Sequence, residues 1–483
     1  SPEGERSGNY SGPGVAGSSP PVLIDPLTGA AFPGNRIPAD RLSPAGMSYL
    51  NLYPVPNVTP GAGSCNNWVT SITSPIDYTQ QGGRVDWTIT DASRLMVRYT
   101  HDTWENNAPS INANLWGDDP FPAVDSNWNQ PSQSFVAALN QTIGNSANNS
   151  LQFSYSGNKI DVTRGGLNSA LNDEILNRIT PIFGFDQKQH GENIGHPVFW
   201  GGAGYQALWN EAPFLNSQDL FIVKDDYTQV FGKHFVKAGV LTSFNKKTED
   251  TLGNGSVEHS AFWGSAGLNS WGTTTGNILS DFLLRDMTFG FSEFTAGRNA
   301  DQRWKDMELY VADSWQPSKQ PTVDYGVRYS VFFNPYANDD RVMNFVPSLF
   351  DPALGNDPCN GLLQPPGSNW CQAAGARAGA DGRNRSLMEQ DYNNIAPRLG
   401  IAWNVFGDST TALRAGLGRF FLRERLSPLL SMAVNPPFVT TLAGIRKLDS
   451  TAEPCAGCFG SSLGAPSRGR EVDYRTPNSW QWN

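Results

Sequence analysis

The chain has 483 residues, only 17% of them charged, with 49 glycines and 34 prolines, a balance that excludes a helical bundle or coiled coil. Aromatic residues reach 11%, which excludes a disordered chain, and a net charge of −10 from 35 basic and 45 acidic residues argues against non-specific nucleic-acid binding. No apolar run approaches the roughly 18 residues of a transmembrane helix, but a membrane β-barrel stays open because its strands alternate and never read as an apolar block.

The first element is weak. Residues 1–76 are rich in Ser, Gly and Pro and show no sustained period, so they read as an irregular segment, a loop preceding the hairpins. Within them Ser43 to Leu52 predicts one short helix, with Ser43 as N-cap and Pro44 as its first residue. The start carries neither an initiator Met nor a visible signal peptide. The end, Asn478-Ser479-Trp480-Gln481-Trp482, reads as an interrupted strand. Both ends fit an internal piece of a longer protein.

From residue 77 the period becomes two. Arg84 to Ile89 alternates, Thr90-Asp91-Ala92-Ser93 turns, and Arg94 to Tyr99 resumes the alternation. A second hairpin runs from Phe135 to Ile143, turns at Gly144-Asn145-Ser146 and returns through Leu151, Phe153 and Tyr155. A third spans about Leu220 to Val230, turns at Phe231-Gly232-Lys233 and returns through Val236 to Val240. A fourth holds Met307, Leu309 and Val311, turns around Pro317-Ser318-Lys319 and returns from Val323 to Val331. A fifth holds Leu399, Ile401 and Trp403, turns at Gly407-Asp408-Ser409 and returns through Leu413, Ala415 and Leu417. A half-pair begins near Trp480, giving eleven strands.

The links between hairpins run roughly from 102 to 131, 163 to 217, 247 to 302, 333 to 392 and 424 to 475. Each holds about 30 to 60 residues, against about 4–6 for an ordinary loop. Short turns therefore alternate strictly with long loops. A soluble sandwich shares the period of two but gives no reason to place every long loop at one end. An outer-membrane barrel does, with short periplasmic turns and long extracellular loops. On Val323 to Val331 the apolar set would meet lipid, and Asp324, Gly326, Arg328 and Ser330 would face a wet lumen. Trp87, Tyr99, Trp315 and Trp403, near strand ends, are candidates for interfacial girdles. The fold class read here is all-β: an antiparallel transmembrane barrel, partial, with about eleven strands of a larger one over residues 77–483.

Cys359 and Cys371 bracket a Gly/Pro-rich loop, and Cys455 and Cys458 form a CxxC; Cys65 stands apart. Two loop disulfides, which need an oxidising compartment, and free thiols are both open. The five His residues (His101, His190, His196, His234, His259) have no ligand spacing, so no metal site is expected on them. Asp118-Asp119 and Asp339-Asp340 suit either a solvated loop or calcium. Gly201-Gly202-Ala203-Gly204 lacks the lysine of a phosphate loop, and no nucleophile elbow occurs. No catalytic, metal or cofactor site is assigned. The long loops carry Trp104, Trp116, Trp128, Trp200, Trp209, Trp263, Trp271 and Trp370, which would either capture a flat ligand or pack the loops together.

Several blocks carry a resemblance. Arg84-Val85-Asp86-Trp87 followed by Arg94-Leu95-Met96-Val97-Arg98-Tyr99 resembles the opening barrel hairpin of TonB-dependent outer-membrane receptors of the Oar-like kind. Asn35 to Leu42 and Leu52 to Asn57 resemble the segment before it. Gly232-Lys233-His234, Lys237-Ala238-Gly239, Phe282-Leu283-Leu284, Tyr310 to Trp315, Tyr325 to Tyr329 and Thr476-Pro477 resemble later elements. The most specific block is Asn393-Asn394-Ile395-Ala396-Pro397-Arg398-Leu399-Gly400-Ile401-Ala402-Trp403, continuing through Phe406-Gly407-Asp408 to Gly418. The matches spread over about residues 35–483. The family's plug domain and TonB-contacting segment are not recognisable in the sequence. The resemblance implies part of a transporter in the outer membrane of a Gram-negative bacterium. It would bind an extracellular ligand and pass it through a plugged barrel, with outer-membrane lipid and the TonB complex as partners and no nucleic acid. The alternative is a soluble secreted β-sandwich that binds carbohydrate.

Overall fold

Apolar and aromatic side chains at every second position build long strands, and the turns between them fall at glycine and aspartate. The computed structural model describes residues 3–12, 22–51, 53–61, 66–70, 75–106, 126–164, 214–250, 275–284, 288–294, 299–355, 357, 359–371, 377–378, 385–408, 410–424, 426–433, 435–438, 441–447 and 468–483. Strand β1 (Ile76–Thr90) turns directly into β2 (Ser93–Asn106). The next stave is broken into β3 (Ser126–Asn129) and β4 (Ser132–Ile143). Pro131 sits at the break, because a proline gives no N–H to a central ladder. The Gln130 N–H still donates to the Trp104 carbonyl at 2.8 Å, which keeps the two pieces in line.

Then follow β5 (Ala147–Arg164), β6 (Phe214–Phe231), β7 (His234–Asp250), β8 (Thr288–Phe294), β9 (Asn299–Trp315), β10 (Pro321–Phe332) and β11 (Tyr336–Ala337). The small strands β12 (Asn344–Phe345), β13 (Leu362–Gln364) and β14 (Arg377–Ala378) precede β15 (Asn394–Asn404), β16 (Ala412–Phe421), β17 (Thr441–Lys447) and β18 (Asn478–Trp482). The main sheet runs β1-β2-β3-β5-β6-β7-β9-β10-β15-β16-β18, with β4 between β2 and β5 and β11 against β9. Taking β3 and β4 as one stave gives the predicted eleven, each antiparallel to its neighbours. Gly144 and Gly232 have φ of 59° in their turns, a backbone conformation that glycine adopts without strain.

The staves are longer than the alternation suggested: β5, β6 and β7 hold 18, 18 and 17 residues. Stretches of their far ends, such as Ser156–Lys159 and Asn245–Asp250, are polar on both faces and carry no period to read.

The register assigns every side chain to a face. Tyr99, Phe135, Tyr155, Phe221 and Phe244 form one row across five staves, and Val240, Leu309, Tyr329 and Ile395 form another on the same face. These side chains are not buried: Phe244 is 49% exposed and Leu309 43%. No second sheet covers them among the described residues, so the sandwich alternative lacks its core. A contiguous apolar face of this extent has lipid as its solvent. Between the His234/Trp315 pair and the Phe244/Lys305 pair lie ten residue steps of β7 and β9. That is about 33 Å of strand, or about 25 Å of height at a tilt near 40°, the height of an outer-membrane apolar band.

Two cores lie outside the wall, at the long-loop end. In the first, Ala337, Val342, Leu363, Leu387, Met388, Leu429 and Met432 bury one another, beside a cluster of Met343, Cys359, Leu362, Cys371 and Phe438. They join the loop between β10 and β15 to the loop between β16 and β18. In the second, the chain before β1 packs on the helix Ile278–Leu283, burying Leu23, Leu50, Leu279, Leu283 and Leu284. The predicted helix is present as Pro44–Leu50, and the Ser43 hydroxyl accepts the Gly46 N–H at 3.0 Å as its cap. The Ser43 N–H donates to the Leu283 carbonyl at 2.7 Å, tying the two segments together. A further ladder of seven pairs joins β8 to β17, so the long loops are paired with one another.

Candidate functional site

Opposite the apolar face, the wall is polar and charged. One row across it reads Asp226, Gly239, Tyr310, Arg328 and Ala396. Tyr310 donates its hydroxyl to Asp226 across the glycine. A Cβ at Gly239 would lie 2.6 Å from the Tyr310 ring and 2.7 Å from the Asp226 carboxylate, so only glycine permits this contact. Lys224 Nζ lies 2.5 Å and Lys237 Nζ 3.6 Å from Asp226 Oδ2. The Arg328 guanidinium covers the Tyr310 ring at 5.0 Å and meets Glu308 at 2.6 Å.

A concavity of about 510 Å³ opens here, lined in part by Lys224, Lys237, Tyr310, Asp324, Arg328 and Arg398. Such half-exposed pairs contribute about 1 kcal/mol or less each to stability. Their consequence is a field: Arg84 stands directly opposite Arg98 in the β1–β2 register, and Arg414 faces the same way. Arg84 is held by Asp86 at 2.6 Å, so the inner face carries charges of both signs in alternation.

The predicted aromatics divide. Trp104 and Trp128 meet edge to face at 6.0 Å, in a cluster with Val162, Phe214 and Ile160 at the long-loop end of the inner face. Trp128 is 5% exposed and packs the mouth of the wall. Trp370 is 42% exposed, stands edge-on to Phe438 at 5.2 Å and donates its indole N–H to the Asp340 carbonyl at 3.1 Å. Trp116, Trp200, Trp209, Trp263 and Trp271 lie outside the described residues, as do Cys65, Cys455, Cys458 and Asp118-Asp119.

Cys359 and Cys371 are joined in a disulfide with their Cα atoms 6.0 Å apart, inside the first loop core. Asp340 is taken by Arg385 at 2.6 Å, and Asp339 accepts the Arg341 N–H at 3.2 Å, so this acidic pair is turned to local bonding. Among the described residues no group of three His, Cys, Asp or Glu is placed to hold a metal. His234 instead pairs with Asp313 at 2.6 Å and stacks on Trp315 at the short-turn end of the lipid face.

Between the loop core and the wall stands Asp391. Burial pushes its carboxyl up, but the N–H groups of Thr476 and Asn393, at 2.9 and 3.0 Å, outweigh this and hold it below the ordinary aspartate value. Arg423 clamps the same region, bonding Asp306 of β9 and the Lys305 and Phe333 carbonyls. Sequence reading missed both residues, since their partners lie 85 and about 117 positions away.

The sequence matches a family model described as outer membrane beta barrel domain over residues 2–483. No curated protein matches it significantly. Among solved structures it is similar to the ferripyoverdine receptor of the outer membrane of Pseudomonas aeruginosa bound to ferripyoverdine, with 11% identity and a TM-score of 0.39 over 72% of this chain and 36% of that one. The siderophore receptor PirA from Pseudomonas aeruginosa gives 10% identity and 0.32 over 73% and 34%. The ferric-catecholate import receptor Fiu from E. coli K12 gives 13% and 0.36 over 73% and 48%. The chain spans between about a third and a half of the length of these structures.

Proposed function

This chain belongs to the outer membrane β-barrel domain family, and from that premise we propose that it is part of a TonB-dependent transporter that binds an extracellular ligand and imports it through a plugged barrel. Its place is the outer membrane of a Gram-negative bacterium. The observation that carries the reading is the division of the wall into one apolar face and one charged face, with every long loop at the same end. A lipid-facing exterior and a wet interior are what a solute path through an outer membrane requires. The TonB assignment is supported by the resemblance of the opening hairpin and of the Asn393–Gly418 block to Oar-like receptors.

The reading assigns no covalent chemistry and no cofactor to the chain. Binding falls to the folded loops, where exposed Trp370 offers a stacking surface. A second loop disulfide, Cys455–Cys458, belongs to the same proposal, because the outer surface is oxidising.

The test uses the whole gene in its own host. Growth on single nutrient sources is compared in four strains, with and without this gene and with and without a working TonB system. A nutrient whose use is lost in the same way by either deletion is the expected result. A deficit that depends on this gene but not on TonB sinks the energised-import reading.

A further inference from the structure

The loop body holds one aromatic ring rigidly and leaves it open. Trp370 donates its backbone N–H to Gln364 Oε1 at 3.1 Å, and the Cys371 N–H donates to the same oxygen at 3.2 Å. The indole N–H goes to the Asp340 carbonyl, and the ring stands edge-on to Phe438. Backbone, N–H and edge are thus fixed, next to the Cys359–Cys371 disulfide, yet the residue is 42% exposed. A large aromatic side chain already fixed in this way loses little conformational freedom when it binds.

A cation shares the same support. The Arg341 guanidinium lies 5.5 Å from the Phe438 ring centroid, and Phe438 is buried, so one ring carries both groups. Asp340 turns the chain with a φ of 58°, a conformation aspartate tolerates, and gives its carbonyl to Trp370 just before Arg341. The neighbouring carboxylates are engaged elsewhere: Asp340 with Arg385 at 2.6 Å, and Asp339 with the Arg341 backbone N–H at 3.2 Å. Among the described residues no carboxylate pairs with the Arg341 guanidinium, and the residue is exposed. An unpaired guanidinium offers a planar fork of N–H donors that fits a carboxylate.

We propose that Trp370 and Arg341 form a ligand subsite for a ring that carries a carboxylate, with the ring stacked on the indole and the carboxylate on the guanidinium fork. An acidic sugar and an aromatic acid share that chemistry. A neutral ring meets only the indole and leaves the guanidinium unused, so the pair selects acids. The inference rests on the reading that the loops capture a ligand, and it names the class of ligand that this part of them takes.

The experiment uses the full-length protein purified in detergent. Trigalacturonate and benzoate are titrated by calorimetry, each beside its uncharged amide. The parent is expected to bind at least one acid about tenfold more tightly than the amide. Arg341→Gln should remove that preference, whereas Trp370→Ala should weaken acid and amide alike by about thirtyfold and keep it. A merely structural role would move acid and amide together in both variants. Lys319→Gln, in the exposed turn at the other end of the wall, should bind as the parent does. The acid that binds identifies the source, sugar or aromatic. Failure of both acids to bind at millimolar concentration overturns the proposal. So does an unchanged acid preference in Arg341→Gln, or an undiminished affinity in Trp370→Ala. None of these results touches the import reading, which the four-strain growth comparison tests without reference to this subsite.

Discussion

Within the wall, Val240 is 36% exposed and Val85 66%, whereas the loop core buries Leu362, Leu363, Leu387 and Met388 to 1% or less. Among the described residues the wall has no dry interior. Its ladders satisfy the backbone, and lipid takes the place of a core on one face. The loop core is ordinary globular packing, closed by a disulfide and assembled from two loops far apart in sequence. The difference teaches that the long loops are a second folded body with its own hydrophobic driving force. A surface that must hold a ligand steady is better served by such a body than by open loops.

The comparison breaks most sharply at Leu363. Leu363→Ala removes a side chain that is 1% exposed and should destabilise the loop core by about 2–5 kcal/mol. Hydrogen exchange should show faster exchange in the loops while the β5–β6–β7 ladder stays protected. Uniform loss across both regions would mean that the wall and the loops are one cooperative unit.

Neighbours on one stave sharpen the wall side. Val240 faces lipid and Leu241 faces inward, since they stand opposite Leu309 and Glu308 of β9 respectively. Val240→Arg should cost about 2–4 kcal/mol in unfolding from lipid vesicles, near the middle of the band, and Leu241→Arg less than half as much. Equal costs would refute the assignment of the two faces.

Reducing Cys359–Cys371, or replacing both with Ser, should cost the loop core about 2–4 kcal/mol, with little effect on the wall. Limited proteolysis with and without reductant reads this as new cleavage confined to the loops.

The smallest effect is a dependence on pH. Asp391 has its carboxyl held below the ordinary 3.8, so its contribution is fully present above that value and is lost as pH falls through the lower folded-state value. Amide exchange at Thr476 and Asn393 should rise below about pH 4 in the parent relative to Asp391→Asn, which lacks the charge at every pH. Parallel profiles in the two proteins would remove Asp391 from the joint between loop and wall.

The sequence by itself determined the wall. A period of two is a local property, so five hairpins, their turns at Asp91, Gly144, Gly232, Pro317 and Gly407, and the eleven staves were legible from residues adjacent in the chain. So was the side on which the long loops lie, because connection length is itself sequence. The Ser43-Pro44 helix start was legible for the same reason, since a cap acts within three residues.

What only the tertiary structure decided is what meets across distance. Polar strand ends beyond the band carry no pattern, so the full length of β5 to β7 came from pairing. The loop tryptophans looked alike in sequence, yet Trp128 is buried and Trp370 is open, because burial depends on partners contributed by other staves and loops. The Asp226–Tyr310 contact over Gly239 and the Asp391 joint each join staves or loops that no periodicity connects. Register places such residues side by side, and register is a property of the paired sheet.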